Sequence, residues 1–238
     1  MKEMEKRKLV EKLVIANRIL DHEQLAVPFG HISVRVPEEE QILISRNIAP
    51  GLVTGKDILC LDLNGGIIKG KGKLYAEVPL HLSIYRLRKD IECVAHIHPV
   101  YVIALSMAKI PLQPMSNELL LVSDEDIPIY DDPQLIDTDG KGDDLARALG
   151  NRSSISIKGH GAVVVGKTIE QTVVLAIHME QAAKLQIMAN VAGKPLCYPL
   201  DQIENWRNTV KTYSGGKPTE REWGYYKEKV TRVKPYRK

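Results

Sequence analysis

A mixed β-sheet covered by helices on both faces is the architecture predicted by this 238-residue sequence. Three observations lead to it: hairpin signals crowd the first third, strand and helix patterns alternate after that, and one long apolar helix pattern ends the regular part at Gly193 and Pro195.

From Lys2 to Gln24, Met4, Leu9, Leu13, Ile15, Ala16, Ile19 and Leu20 recur at helical spacing with charges between them, which predicts an amphipathic helix. Leu25 to Gly30 turns the chain. Ile32, Val34 and Val36 alternate with Ser33 and Arg35, as in a half-buried strand with Ser33 and Arg35 facing out. Residues 37–40 turn, and Gln41 to Ser45 returns as the second arm of a hairpin. A Gly- and Pro-bearing loop from Asn47 to Gly55 precedes a strand at Ile58 to Leu63. Asn64-Gly-Gly66 tolerates positive φ and marks another hairpin, with Ile67 to Lys69 returning. Ala76 to Lys89 reads as a helix, since Val78, Leu82, Tyr85 and Leu87 form a stripe and Pro79 falls in the first turn. Ile91 to His98 is a strand, and Pro99 to Lys109 a helix. Residues 112–136 read as loops around one short strand. Gly142 to Leu149 is a short helix. Ser154 to Ile157 and Ala162 to Val165 are strands on either side of Lys158-Gly-His-Gly161. Thr168 to Val191 is a long helix, and Thr168 with Gln171 has the pattern of a capping box. The stretch from Pro199 to Lys238 is polar, basic and aromatic-rich.

The net charge of +3 is small, and Lys and Glu are interleaved without a basic patch, which argues against a nucleic-acid partner. No apolar run approaches a membrane span, so no membrane partner is expected. Cys60, Cys93 and Cys197 are odd in number and far apart. Cys60 and Cys93 lie in apolar runs as buried thiols, which fits a reducing, cytoplasmic setting rather than a disulfide framework.

The chemistry concentrates on Val94-Ala-His-Ile-His-Pro99. Residues two apart leave one face of a strand, so Val94, His96 and His98 share a face at a strand end. A lone His-x-His is more often a polar strand exit than a ligand pair. His160 lies between two glycines at another strand end, and those glycines permit close approach of backbone or substrate. Glu77 opens a helix just after a strand, where an acid also suits the helix dipole. Three neutral imidazoles hold a divalent transition metal well, and a carboxylate beside them ligates it or acts as a base. Bland readings cover the other histidines and acids. His81 orients Glu77 or packs, His178 is structural or at an interface, and His22 faces solvent. The acids at 124–126 and 131–132 form a solvated surface without calcium-loop spacing.

Taken together, Gly30-His-Ile-Ser-Val-Arg35, Ala76-Glu77 followed by His81, His96-Ile-His98 and Lys158-Gly-His-Gly161 resemble the class II aldolase/adducin family. The resemblance assigns residues 1–198 to such a domain and leaves 199–238 as a basic aromatic extension packing on its own or a neighbouring subunit. It implies a three-layer αβα sandwich around a predominantly antiparallel sheet. It also implies a Zn²⁺ ion, or Mn²⁺, Co²⁺ or Fe²⁺, on His96, His98 and His160 with Glu77 as the nearby acid, and a homotetramer with sites between subunits. Family members often use a neighbour's tyrosine as proton donor, and Tyr226 or Tyr225 is the candidate. Packing of these tail aromatics on a neighbour is the plainer account.

The departures bear on substrate. Sugar-phosphate members have Gly-Asn where this chain has Gly30-His31. They have a Thr/Ser-Pro-Thr/Ser-Gly turn where it has Ser45-Arg46-Asn47-Ile48, and paired serines where it has Tyr75-Ala76. Loss of all three argues against a sugar phosphate. His31, Ser45 and Arg46 become the substrate-binding candidates, with Arg46 and His31 facing a carboxylate. These motifs look like the branch that includes decarboxylases of hydroxylated aromatic acids. The expected activity is a metal-dependent carbon–carbon lyase, aldolase or decarboxylase, acting on a small hydroxy-carbonyl or hydroxylated acid. The rival readings are a non-haem iron oxygenase on the same histidines and a non-catalytic adducin-like module.

Overall fold

The computed structural model describes residues 3–123, 125–214 and 218–232. Asp124 of the acidic run, Tyr236 and Lys2 therefore lie outside the described residues. The helix expected at the N-terminus is α1 (Glu3–His22), with Leu13, Ala16, Ile19 and Leu20 buried. β1 (His31–Arg35) and β2 (Gln41–Ser45) form the first hairpin. β3 (Ile58–Asp62) and β4 (Ile67–Lys69) form the second, around Gly65 at φ 87°. There follow α2 (Val78–Leu87), β5 (Cys93–Ile97), α3 (Val100–Met107), α4 (Asn117–Val122), β6 (Ile129–Tyr130), α5 (Asp139–Leu149), β7 (Ser154–Ile157), β8 (Gly161–Gly166), α6 (Ile169–Ala192), α7 (Leu200–Ser214) and α8 (Pro218–Arg232).

One eight-stranded sheet runs in the order β4-β3-β2-β1-β5-β8-β7-β6. Its pairs are antiparallel except β6 with β7. Strand alternation sends Cys93, Ala95 and Ile97 into a core shared with α1, α3, α4, α6 and α8. Val94, Val163 and Val165 point the other way, into a core closed by α2 and α5. This is the three-layer αβα sandwich. Thr168 caps α6 by accepting the Gln171 N–H at 3.0 Å, while the Gln171 side chain accepts from Lys167 N at 2.9 Å. Cys60 and Cys93 are buried free thiols and Cys197 is exposed. Among the described residues no helix is long and apolar enough to cross a membrane.

Two segments differ from the sequence expectation, and a third holds helices that the sequence reading did not place. Ser33 and Arg35 do not face solvent. Both are buried beneath α2, where Ser33 meets Tyr85 Oη at 2.9 Å and Arg35 donates to the Tyr85 carbonyl at 2.7 Å. The alternation is real, but the second face is a covered polar one. Residues 112–136 contain α4, a helix too short to show two turns of periodicity, capped by the Ser116 hydroxyl. The C-terminal stretch holds α7 and α8. α8 packs on α1 and α6 through Trp223, Tyr226 and Val230, and its pairs His178–Glu222 and Lys229–Glu23 both close at 2.6 Å. A few large anchors do the work of a continuous apolar stripe, so composition alone reads the segment as a tail.

Candidate metal centre

Antiparallel pairing brings the start of β1, the end of β5 and the β7–β8 turn to one edge of the sheet. His31 and His96 are direct cross-strand partners, and Ala162 faces Ile97 across the next pair. His160 lies in the turn that opens β8. Two glycines make this convergence possible. Gly30, at φ 108°, would place a Cβ 2.8 Å from Ala26 Cβ and 3.0 Å from the His96 carbonyl. Gly161 leaves room for the Ile97 carbonyl. Glu77 occupies the cap position of α2 but makes no cap bond; its carboxylate reaches inward instead. A loop of residues 70–77 separates it from β4, so it does not directly follow a strand.

The donor atoms of His96, His98 and His160 all lie within 4.8 Å of one another, and so do those of His31, Glu77 and His96. His96 is fully buried, and its Nδ1 is 3.1 Å from the Ala162 carbonyl. That carbonyl can only accept, so Nδ1 carries the proton and Nε2 presents a lone pair. His98 Nε2 stands 3.1 Å from His96 Nε2, a separation that requires a proton or a cation between them. Two imidazoles bound tetrahedrally to one zinc at ~2.0–2.1 Å bring their nitrogens to about 3.4 Å, close to the observed value. Glu77 Oε2 lies 3.4 Å from His96 Nε2 and 3.7 Å from His160 Nε2, long for hydrogen bonds but apt for ligands of a shared ion. The Ile136 N–H holds Oε1 at 3.0 Å. His160 Nδ1 is buried and finds no partner among the described groups.

Electrostatics favour the ligand-competent forms. Burial, then the neighbouring His96 and His160, lowers His98 to about 3. Burial tends to raise the Glu77 carboxyl, but His160, His96 and the Ile136 N–H outweigh it and hold the group well below the ordinary carboxylate range. A neutral imidazole beside an ionised carboxylate is the donor chemistry a divalent transition metal needs.

The cluster opens into a cavity of ≈ 580 Å³ whose walls include Phe29, His31, Ile48, Tyr75, Leu135 and His160. Among the described residues no Lys or Arg lines it. A larger groove of ≈ 830 Å³ between α1 and β2–β4 has no imidazole on its walls among the described residues.

Five candidates thus come together: Glu77, His96, His98, His160 and His31. Three do not. Arg46 is absent from the walls; its Nε donates to Asp57 Oδ1 at 2.7 Å, and its stem lies along Gly72. Ser45 is fully buried and bonds Tyr75 Oη at 2.8 Å, so it steadies a wall residue rather than facing the cavity. Tyr226, on α8, packs in the helical layer across the sheet, with Lys229 over its ring and Gln181 bonded to its hydroxyl. His81 does not orient Glu77. It bonds His31 at 2.7 Å and Ser33 at 2.7 Å. Sequence reasoning missed Phe29, Leu135 and Ile136, which lie in loops without a periodic signal, and Tyr75, which enters there only as a replaced serine. It also missed the polar contact of β1 with α2. The signal was present in His31, Ser33 and Arg35 at period two and His81 and Tyr85 at spacing four.

The chain matches the family model described as Class II Aldolase and Adducin N-terminal domain over residues 11–187. It is 28% identical over 199 residues to a 3,4-dihydroxyphthalate decarboxylase of Arthrobacter keyseri, covering 78% of this chain and 80% of that protein. It is 29% identical over 170 residues to gamma-adducin of Rattus norvegicus, covering 68% of this chain but 24% of adducin. Among solved structures, an aldolase II superfamily protein from Pseudomonas syringae superposes with a TM-score of 0.82 at 24% identity, covering 94% of this chain and 92% of that one. An L-fuculose 1-phosphate aldolase superposes with a TM-score of 0.77 at 21% identity, covering 89% and 98%. These two likenesses show the fold.

Proposed function

The chain belongs to the class II aldolase and adducin family, and from that premise we propose that it is a metal-dependent carbon–carbon lyase that decarboxylates a hydroxylated aromatic acid. One observation carries the reading: three imidazoles and an ionised carboxylate converge at the floor of an aromatic-walled cavity that has no cationic side chain among the described residues. Decarboxylase and aldolase relatives support lyase chemistry at the level of the family. The cationless wall disfavours a phosphorylated sugar, and Phe29, Tyr75 and Leu135 suit a flat ring.

His96, His98 and His160 would hold the ion. Zinc fits this donor set, with Mn²⁺, Co²⁺ and Fe²⁺ as alternatives. The ion, when bound, would supply Lewis acidity toward the substrate's oxygens. As the bond to the departing carboxylate breaks, carbon dioxide leaves and the electron pair stays on the ring carbon. Glu77, anchored through Oε1 by the Ile136 N–H, turns Oε2 toward His96 and His160, where it would pass the proton that this carbon takes up. The substrate carboxylate meets no guanidinium, since Arg46 is engaged by Asp57. Its burial among apolar walls favours the neutral product over the anion. The homotetramer with sites between subunits belongs to the same proposal; Phe29 and Leu135, 69% and 52% exposed at the cavity rim, supply apolar surface for a second copy to cover.

The test is a screen of the metal-loaded chain against hydroxylated aromatic acids and short hydroxy-aldehydes, with and without oxygen, recording carbon dioxide. Release of carbon dioxide without oxygen supports the proposal. Aldehyde formation instead would move the reading to aldol cleavage, and dependence on oxygen would replace it with an iron oxygenase. A chain that takes up no metal and is indifferent to chelation would leave the non-catalytic module.

A further inference from the structure

We propose that a one-way chain of hydrogen bonds, Tyr85 to Ser33 to His81 to His31, fixes His31 with its proton on Nε2, so that His31 is a hydrogen-bond donor to substrate and not a fourth metal ligand. The observations are geometric. Tyr85, Ser33 and His81 are fully buried, and His31 is nearly so. The links are Tyr85 Oη to Ser33 Oγ at 2.9 Å, Ser33 Oγ to His81 Nδ1 at 2.7 Å, and His81 Nε2 to His31 Nδ1 at 2.7 Å. Each hydroxyl brings one proton, and the two buried rings, bonded along the chain to each other and to a hydroxyl and not to a carboxylate, each bring one proton of their own. The chain can therefore point in only two directions.

If it points outward from the core, the phenol donates to Ser33, Ser33 donates to His81 Nδ1, and His81 Nε2–H donates to His31 Nδ1. The three donors that link the chain then each have an acceptor, and the His31 proton sits on Nε2, the nitrogen left for the cavity that His31 lines. If it points inward, His31 donates from Nδ1, His81 donates to Ser33, and the remaining hydroxyl proton, on Tyr85 or on Ser33, is left to find an acceptor. Ser33 is the phenol's hydrogen-bond partner among the described side chains. The backbone group that meets it is the Val94 N–H, itself a donor. The inward direction thus buries an O–H without an acceptor and bears the full desolvation cost of that group. The outward direction wins.

Of the two groups of donor atoms that converge here, this choice separates ligands from non-ligands. His96 presents a bare Nε2, because its Nδ1–H is spent on Ala162. His31 presents a filled one. The ion would therefore sit on His96, His98 and His160, and the His31 N–H would face the substrate oxygen on which negative charge gathers. That last step rests on the proposed lyase reading; the tautomer does not. His81, Ser33 and Tyr85 act through His31 and are positioning residues.

The tautomer is read directly by ¹⁵N NMR of imidazole nitrogens in the zinc-loaded full chain, zinc being diamagnetic. Nε2 of His31 should be pyrrole-like and Nδ1 pyridine-like; the reverse would overturn the proposal. Ser33→Ala cuts the chain and should shift the His31 Nδ1 signal toward the pyrrole-like range, and Ser33→Thr should restore it. An unchanged signal in Ser33→Ala would count against the relay. His31→Phe should retain the zinc stoichiometry of the wild type, whereas loss of zinc in parallel with His96→Ala would make His31 a ligand and refute the assignment. Should carbon dioxide release be established, His31→Phe should lower kcat roughly 100-fold, as expected for loss of a donor to a developing oxyanion. Failure of the lyase reading would leave the NMR and stoichiometry outcomes intact.

Discussion

Replacing His98 by alanine separates a ligand from a structural histidine, because the metal-free protein has little use for this ring. Among the described residues its one side-chain bond is the 3.1 Å contact with His96 Nε2, and burial with two neighbouring imidazoles already lowers it to about 3. Its backbone N–H donates to the Leu25 carbonyl at 2.7 Å, and alanine keeps that bond. Truncation of a half-buried ring at a strand end should therefore cost the metal-free chain no more than about 1 kcal/mol, the net worth of one hydrogen bond. The metal-loaded chain behaves otherwise. At a free ion concentration about 100 times Kd, binding stabilises the native state by ~2.7 kcal/mol. At ~2–4 °C per kcal/mol for a chain of this size, zinc should raise Tm by about 5–10 °C, reversed by chelation. In His98→Ala two imidazoles and the carboxylate remain, and most of that shift should vanish while the chelated baseline stays within ~4 °C of the wild type. Differential scanning fluorimetry with zinc and with chelator reads both numbers. A full zinc shift in the variant would show that His98 is no ligand. A baseline that falls by the whole 10 °C would show that it is part of the core.

Glu77→Gln keeps an oxygen for the Ile136 N–H but removes the charge, so turnover should fall far more than bound metal; metal analysis beside kinetics decides this, and full turnover would end the acid–base assignment. The same residue sets an acid limb in the chelated protein. Its folded pKa lies below the unfolded value of about 4.3, so its stabilisation is present above that pH and is lost as pH falls through the folded value. Denaturant titrations from about pH 6 downwards should therefore give a shallower acid loss in Glu77→Gln than in the wild type, and parallel curves would contradict the shift. Arg46→Ala should leave the affinity for a carboxylate ligand unchanged, because its guanidinium is paired with Asp57 away from the cavity; calorimetry showing weaker binding would return Arg46 to the site. Trp223→Ala should cost about 3–5 kcal/mol, the range for truncating a large buried aromatic, and should expose α8 to limited proteolysis; a change under 1 kcal/mol would mean that α8 is not held by this anchor.

The elements legible from sequence are those whose physics is local. α1, the two hairpins, β5 and α6 each carry their own period, cap or positive-φ turn. His96 and His98 could be placed on one face by counting. What escaped was set by partners. Ser33 and Arg35 look like a solvent face because alternation reports polarity, and polarity is the same whether a strand faces water or a helix bearing His81 and Tyr85. Arg46 looks like a carboxylate clamp until Asp57, eleven residues on, is found closing on it. α8 looks like a tail because Trp223, Tyr226 and Val230 are too sparse to form a stripe, and their value comes from the core they meet.

The layout of the site also separates the chemistry from the choice of substrate. The ligand candidates stand on β5, at the β7–β8 turn and at the head of α2, elements locked into the sheet and its cover. The walls that would touch a substrate come from other places: Pro28 and Phe29 before β1, Ile48 after β2, and Leu135 before α5. Loops tolerate change better than sheet positions do. Exchange of Phe29 or Leu135 for smaller residues should therefore alter which ring fits while zinc stoichiometry and the zinc-dependent melting shift stay at wild-type values. Tyr75 is the exception. Its hydroxyl donates to the Ile48 carbonyl and accepts from Ser45, so it ties the loop after β2 to the sheet. Tyr75→Phe keeps the ring as a wall but releases that loop, and it should blur substrate selection where Phe29→Leu redirects it. If Tyr75→Phe instead lost its metal, the division between the held ligands and the replaceable walls would not stand.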